Sequence, residues 1–102
     1  MNIETIINKK QLEAICKKYH VKELSVFGSV LTDKFGKDSD IDFLVSFNET
    51  EIDLLQYAEN YFNILEELEK ITGRKVDLVE KKSLSNPFFI EELEETKKVI
   101  YG

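Results

Sequence analysis

Two aspartates one residue apart, Asp40 and Asp42, bracket Ile41 at the head of an apolar run that continues through Phe43, Leu44 and Val45. A Gly-Ser pair, Gly28-Ser29, stands ten residues ahead of them. Aspartate is a poor strand former, and like charges on one strand face repel. Side chains alternate along a strand, so Asp40 and Asp42 should project to one side and Ile41 and Phe43 to the other. Carboxylates held that close call for a positive charge between them. A donor set made only of oxygens selects a hard divalent cation.

A third acid, Asp77, sits in the segment Lys75 to Glu80, KVDLVE, again among Val and Leu. If its strand lies beside the first, all three carboxylates meet at one end of a sheet. Two cations about 4 Å apart, held by shared carboxylates, clamp both the attacking and the leaving oxygen of a phosphoryl displacement. Gly28 and Ser29 supply the other half of such a site. Glycine allows close backbone approach, N–H groups opening a helical turn point at anions, and the Ser29 hydroxyl adds a donor for a phosphate oxygen. The ordinary alternative is a turn at Ser39-Asp40, with Asp42 and Asp77 facing water on an exposed sheet. That accounts for one such aspartate more readily than for three.

The elements that must position these residues follow from periodicity. Leu12, Ile15, Cys16 and Tyr19 recur at helical spacing and predict a helix over Ile3 to Tyr19, with His20 as a terminal cap or dipole partner. Leu24 to Phe27 reads as a strand ending at Gly28, and Ser29 to Asp33 as a short helical turn. Asp40 to Phe47 reads as a central strand. A helix from about Ile52 to Thr72, capped by Asn48 or Thr50, is expected to bury Leu55, Ala58, Phe62, Leu65, Leu68 and Ile71, and Gly73 stops it. Asn86-Pro87 opens a helix to about Thr96, and Val99 to Tyr101 allows a last strand. The order implies one α/β domain spanning 1–102, a small mixed sheet of three to four strands flanked by helices.

Composition sets limits on what such a domain does. At 102 residues the chain is expected to bury about two-thirds of its unfolded surface. A net charge of −6 disfavours direct nucleic-acid binding, which relies on Lys and Arg displacing counterions. It suits a small substrate arriving with its own Mg²⁺, or a basic protein partner. No apolar run approaches the roughly 18 residues of a membrane span. Neither the start of the chain nor the lone Cys16 suggests export, so a reducing cytoplasm is expected.

Gly28-Ser29, ten residues, then Asp40-Ile41-Asp42 resembles the signature of the polymerase-beta-like nucleotidyltransferase superfamily. The GRKVDLVE segment, the closing VIYG and the overall length resemble its minimal members, which act as antitoxins beside toxins of the HEPN ribonuclease class. The resemblance implies that Asp40 and Asp42 hold Mg²⁺, two ions in all, and that Asp77 completes the second metal site and helps deprotonate the attacking hydroxyl. It further implies that Gly28 and Ser29 hold the triphosphate of ATP. AMP would pass to a hydroxyl, a tyrosine by the same resemblance, of a HEPN-type toxin. Close relatives often carry arginine where this chain has Thr32 and Gly36. Lys34 and Lys37 are not equivalent to an arginine fork, which bears on turnover and nucleotide affinity.

Two other readings stay open on sequence alone. One is a non-catalytic module that neutralises a toxin by occlusion. The other is an enzyme acting on a small-molecule hydroxyl, although that activity is expected to need a further domain to build the acceptor pocket. Phe35, Phe88 and Phe89 are candidates for an apolar docking patch, with Phe88 and Phe89 alternatively sealing the last helix onto the sheet.

Overall fold

A computed structural model describes residues 3–102. Two helices, α1 (Ile3–Ile6) and α2 (Lys9–Lys18), replace the single N-terminal helix expected. The break falls at Asn8, whose extended backbone and side chain cap the second helix by accepting from the Gln11 N–H. Leu12, Ile15 and Cys16 are buried as their spacing implied. Burial pushes the Cys16 thiol up to about 12, so it is an inert core residue. His20 follows in the left-handed region at φ 58°, and its Nδ1 lies 3.0 Å from Glu51 Oε2. It follows the C-cap of α2, at the opposite end of the strand Val21–Phe27 from Gly28.

Strand β1 (Val21–Phe27) runs into a 3-10 turn over Gly28–Leu31, and β2 (Ile41–Phe47) returns antiparallel to it. Helix α3 (Leu54–Thr72) then crosses over to β3 (Val76–Glu80), which lies parallel to β2. A second 3-10 turn (Lys81–Ser83) leads to α4 (Pro87–Thr96), and β4 (Lys98–Tyr101) pairs antiparallel with the free side of β1. The sheet order is β3-β2-β1-β4, so β1 and β2 are central and buried.

Helices α2 and α3 cover one face, where Ile15, Cys16, Ile64 and Leu68 share a core with Leu24, Val26, Phe43, Val45 and Leu78. Helix α4 belongs to the other face. Leu93 and Leu44 are buried outside that core, and just beyond α4 Lys97 donates to Glu23 on β1 (2.9 Å) and to Glu94 (3.1 Å). Burial alone would lower the Lys97 pKa, but hydrogen bonds to the two glutamates outweigh it and hold the ammonium charged. Because α4 covers only part of this face, the end bearing Asp42 and Asp77 stays open.

Helix α3 departs from the expected pattern in two ways. Its cap is Asp53 rather than Asn48 or Thr50, because Gln56 three residues on completes a reciprocal capping box. Its buried stripe is Tyr57, Tyr61, Ile64, Leu68 and Ile71, while Leu55, Ala58 and Phe62 face solvent, Leu55 at 69% and Phe62 at 65% exposure. The helix is apolar on two adjacent sides. The polar anchors select between them: Tyr57 O–H donates to Glu80, Tyr61 O–H to the Leu78 carbonyl (2.6 Å), and Glu69 accepts from Val76 N–H (3.1 Å). The last two also cover backbone groups along the free edge of β3. Replacing Asp53 with alanine should cost about 1 kcal/mol, read as a lower midpoint in thermal melts followed by far-ultraviolet circular dichroism.

No helix among the described residues is long and apolar enough to cross a membrane.

Candidate active site

Strand register brings two of the three expected acids together. Asp42 on β2 is the direct partner of Asp77 on parallel β3, and Phe27, the last residue of β1, is the partner of Asp42 on its other side. Ile41, Phe43 and Val45 are fully buried in the helix-covered core, so Asp42 faces the opposite, open side. Asp42 is half-buried and Asp77 exposed. Asp40 lies one residue ahead of β2, exposed and outside the ladder. The strand therefore starts at Ile41 rather than Asp40. Burial first, then the Asp77 charge, then the Asp40 charge, push the Asp42 carboxyl above the usual carboxylate range.

Gly28 closes the other side of the site. Its φ of +75° is a left-handed conformation that costs glycine little, and a Cβ built there would overlap Oδ2 of Asp42. The turn that follows is anchored by buried Val30, leaving Ser29 half-exposed. Thr32 uses its hydroxyl within the turn: Oγ1 donates to the Ser29 carbonyl (2.9 Å) and accepts from Lys34 N–H (3.2 Å).

Among the described residues, no three acidic, histidine or cysteine side chains converge on a single ion position. The acids fit as pairs instead: an unneutralised Asp42–Asp77 pair of oxygen donors, with Asp40 near enough to act on Asp42. Mg²⁺ commonly binds through one or two carboxylates and completes its shell with substrate phosphates and water, so paired acids suit it. A groove of 670 Å³ lies along the opposite edge of the sheet, beside β4, lined by Ile3, Ile7, Leu12, Lys98, Val99 and Ile100 among others, and includes none of these acids. Its size does not outweigh the charge pattern, because a nucleotide carried by metal needs carboxylates more than enclosure.

Two aromatic expectations resolve differently. Phe35 is buried at 8% exposure, beneath the Arg74 guanidinium at 4.4 Å, and so cannot join a docking patch. Phe88 and Phe89 do stay at the surface, at 80% and 40% exposure.

The nucleotidyltransferase domain model matches residues 8–100. The chain belongs to the nucleotidyltransferase domain family. This nucleotidyltransferase is 40% identical over 86 residues to the protein adenylyltransferase MntA of Thermococcus cleftensis, covering 82% of this chain and 79% of that one. Two solved structures share its fold at lower identity. The first is a toxin–antitoxin with AMP-PNP, with a TM-score of 0.69, 20% identity, and coverage of 94% of this chain and 74% of the other. The second is a tri-AMPylated Shewanella oneidensis HEPN toxin in complex with an MNT antitoxin, with a TM-score of 0.60, 19% identity, and coverage of 92% and 69%. The chain thus has the minimal nucleotidyltransferase fold and is a relative of the protein adenylyltransferase MntA.

Sequence reasoning passed over Arg74. Its Nη1 donates to the carbonyls of Gly36 (2.8 Å), Lys37 (3.2 Å) and Ser39 (3.1 Å). A signal existed, since it is the only arginine in a chain otherwise supplied with lysines.

Proposed function

We propose that this chain transfers AMP from ATP to a hydroxyl, a tyrosine in the first instance, of a HEPN-type toxin, and so acts as its antitoxin. The observation that carries the reading is the register pair Asp42–Asp77, two carboxylates side by side on the open face with Gly28 packed against one of them. A pure binding module gains nothing from such an arrangement, because repelled carboxylates cost stability unless something neutralises them. The likeness to a protein adenylyltransferase supports a protein acceptor.

Asp42 and Asp40 would hold Mg²⁺ carrying the nucleotide, and Asp42 with Asp77 a second ion. When bound, Mg²⁺ neutralises charge on the α-phosphate and lowers the pKa of a coordinated hydroxyl. The chain's own residues do the rest. The absent side chain at Gly28 makes room for the Asp42 carboxylate beside the turn, and the Ser29 hydroxyl donates to a phosphate oxygen. Asp77, exposed at the edge strand, is placed to take the proton of an incoming hydroxyl. That hydroxyl attacks the α-phosphorus, the bond to the bridging oxygen breaks, and pyrophosphate departs.

The test mixes protein, Mg²⁺, ATP and a candidate HEPN-type toxin, and weighs the toxin by intact mass spectrometry. The proposal expects a gain of one or more AMP units and loss of RNase activity. Inhibition without any gain in mass would favour occlusion, and pyrophosphate release with a metabolite but no protein would favour a small acceptor. Ser29→Ala should lower kcat/KM for ATP by 1–3 kcal/mol, about 5- to 150-fold. An unchanged kcat/KM would remove Ser29 from the site.

A further inference from the structure

Asp42 and Asp77 are fixed by strand register, but Asp40 is not. It follows the loop 32–39 and precedes the first rung of β2, so its position depends on how that loop is held. Three interactions order the segment nearest to it. Gly36 N–H donates to Ser39 Oγ (2.9 Å), Ser39 N–H donates to the Gly36 carbonyl (3.2 Å), and Arg74 donates from one nitrogen to the carbonyls of Gly36, Lys37 and Ser39. The Phe35 ring centroid lies 4.4 Å from the carbon of the same guanidinium, a cation–π contact.

Arg74 is itself three residues ahead of Asp77, and the intervening Lys75 carbonyl accepts from Ile41 N–H (3.1 Å). One side chain at the root of β3 therefore holds the loop that delivers Asp40. A guanidinium can bond these carbonyls while its face lies near an aromatic ring; lysine carries its charge on a flexible stem without that planar face.

We propose that Arg74 is a positioning residue for nucleotide-bound metal: it sets Asp40 against the Asp42–Asp77 pair and touches neither nucleotide nor metal. The inference rests on the reading of the acids as metal ligands. Arg74→Gln should leave Asp42 and Asp77 in register yet weaken binding of Mn²⁺ with AMP-PNP by about tenfold or more, the usual scale for partners that orient metal ligands. Arg74→Lys should recover part of that loss.

The experiment titrates Mn²⁺ into wild type and both variants with saturating AMP-PNP, following free Mn²⁺ by electron paramagnetic resonance. Hydrogen exchange at Ser39 and at Leu24, a core strand residue, is measured in parallel. Support is a weaker Mn²⁺ affinity with faster exchange at Ser39 and unchanged protection at Leu24, partly restored by lysine. Unchanged Mn²⁺ affinity in a folded Arg74→Gln protein would overturn the inference and leave the metal reading standing. Failure of wild type itself to bind Mn²⁺ with AMP-PNP would overturn both. If Arg74→Gln does not fold, Arg74→Lys carries the same test, and wild-type affinity in that variant counts against the inference.

Discussion

Replacing Asp42 with asparagine should abolish AMP transfer while making the metal-free protein more stable. The two effects share one cause. The Asp42 carboxyl is raised by burial, by Asp77 and by Asp40, so in the absence of metal its charge is a liability. Relieving like charges on adjacent strands is worth a few tenths to about 1 kcal/mol, read as a higher thermal midpoint at neutral pH. The sign follows from linkage. A carboxyl whose folded pKa lies above its unfolded value binds protons more tightly in the native state, so wild-type stability falls as pH rises through that window. The advantage of Asp42→Asn should therefore be largest above the raised pKa and vanish below the unfolded value of roughly 3.9. Mg²⁺ with AMP-PNP should reverse the order, stabilising wild type by mass action and leaving the variant unmoved. Transfer should fall by at least about 10²–10³-fold, the scale on which a single preorganised electrostatic contact acts. A less stable Asp42→Asn protein in the absence of metal would mark Asp42 as structural.

Gly28→Ala has the second largest expected effect, on both stability and activity. The new methyl group must occupy the position of Asp42 Oδ2 on a backbone at φ +75°, so either the turn or the carboxylate has to move. A non-glycine residue in such a conformation costs about 1–3 kcal/mol, and displacement of Asp42 should remove activity beyond what the stability loss explains. A double-mutant cycle separates the two causes. In an Asp42→Ala background the colliding oxygen is gone, so Gly28→Ala should destabilise less, leaving only the backbone strain. Additive free energies from denaturant melts would mean that the turn and the aspartate are independent.

The acids were legible in sequence for a simple reason: charge among β-branched and aromatic residues is conspicuous in a strand. The strand containing Asp77 could be recognised, but its adjacency to β2 stood only as a condition, since strand order depends on contacts distant in sequence. Gly28-Ser29 became informative only through its fixed distance from Asp40. Other features carried no such mark. Helix α3 has apolar residues on two adjacent sides, and hydrogen bonds from Tyr57, Tyr61 and Glu69 to β3 decided which was buried. A periodicity reading weighs hydropathy alone and so placed Leu55 and Phe62 inside. The break at Asn8 was hidden because apolar spacing continues across it. Phe35 was misjudged because its burial depends on Arg74, a residue far along the chain that bonds backbone carbonyls, which have no sequence signature.

The site is thus a small open surface at the end of a sheet, with charge pattern rather than enclosure as its defining property. Its central claim concerns where a nucleotide and its metal sit. The most direct measurement is paramagnetic broadening of backbone amide resonances on adding Mn²⁺ with AMP-PNP to the isotopically labelled protein. Broadening centred on Gly28, Ser29, Asp40, Asp42 and Asp77, and absent in Asp42→Asn, is the predicted result. Broadening centred on α1 and β4, or none at any resonance, would contradict it.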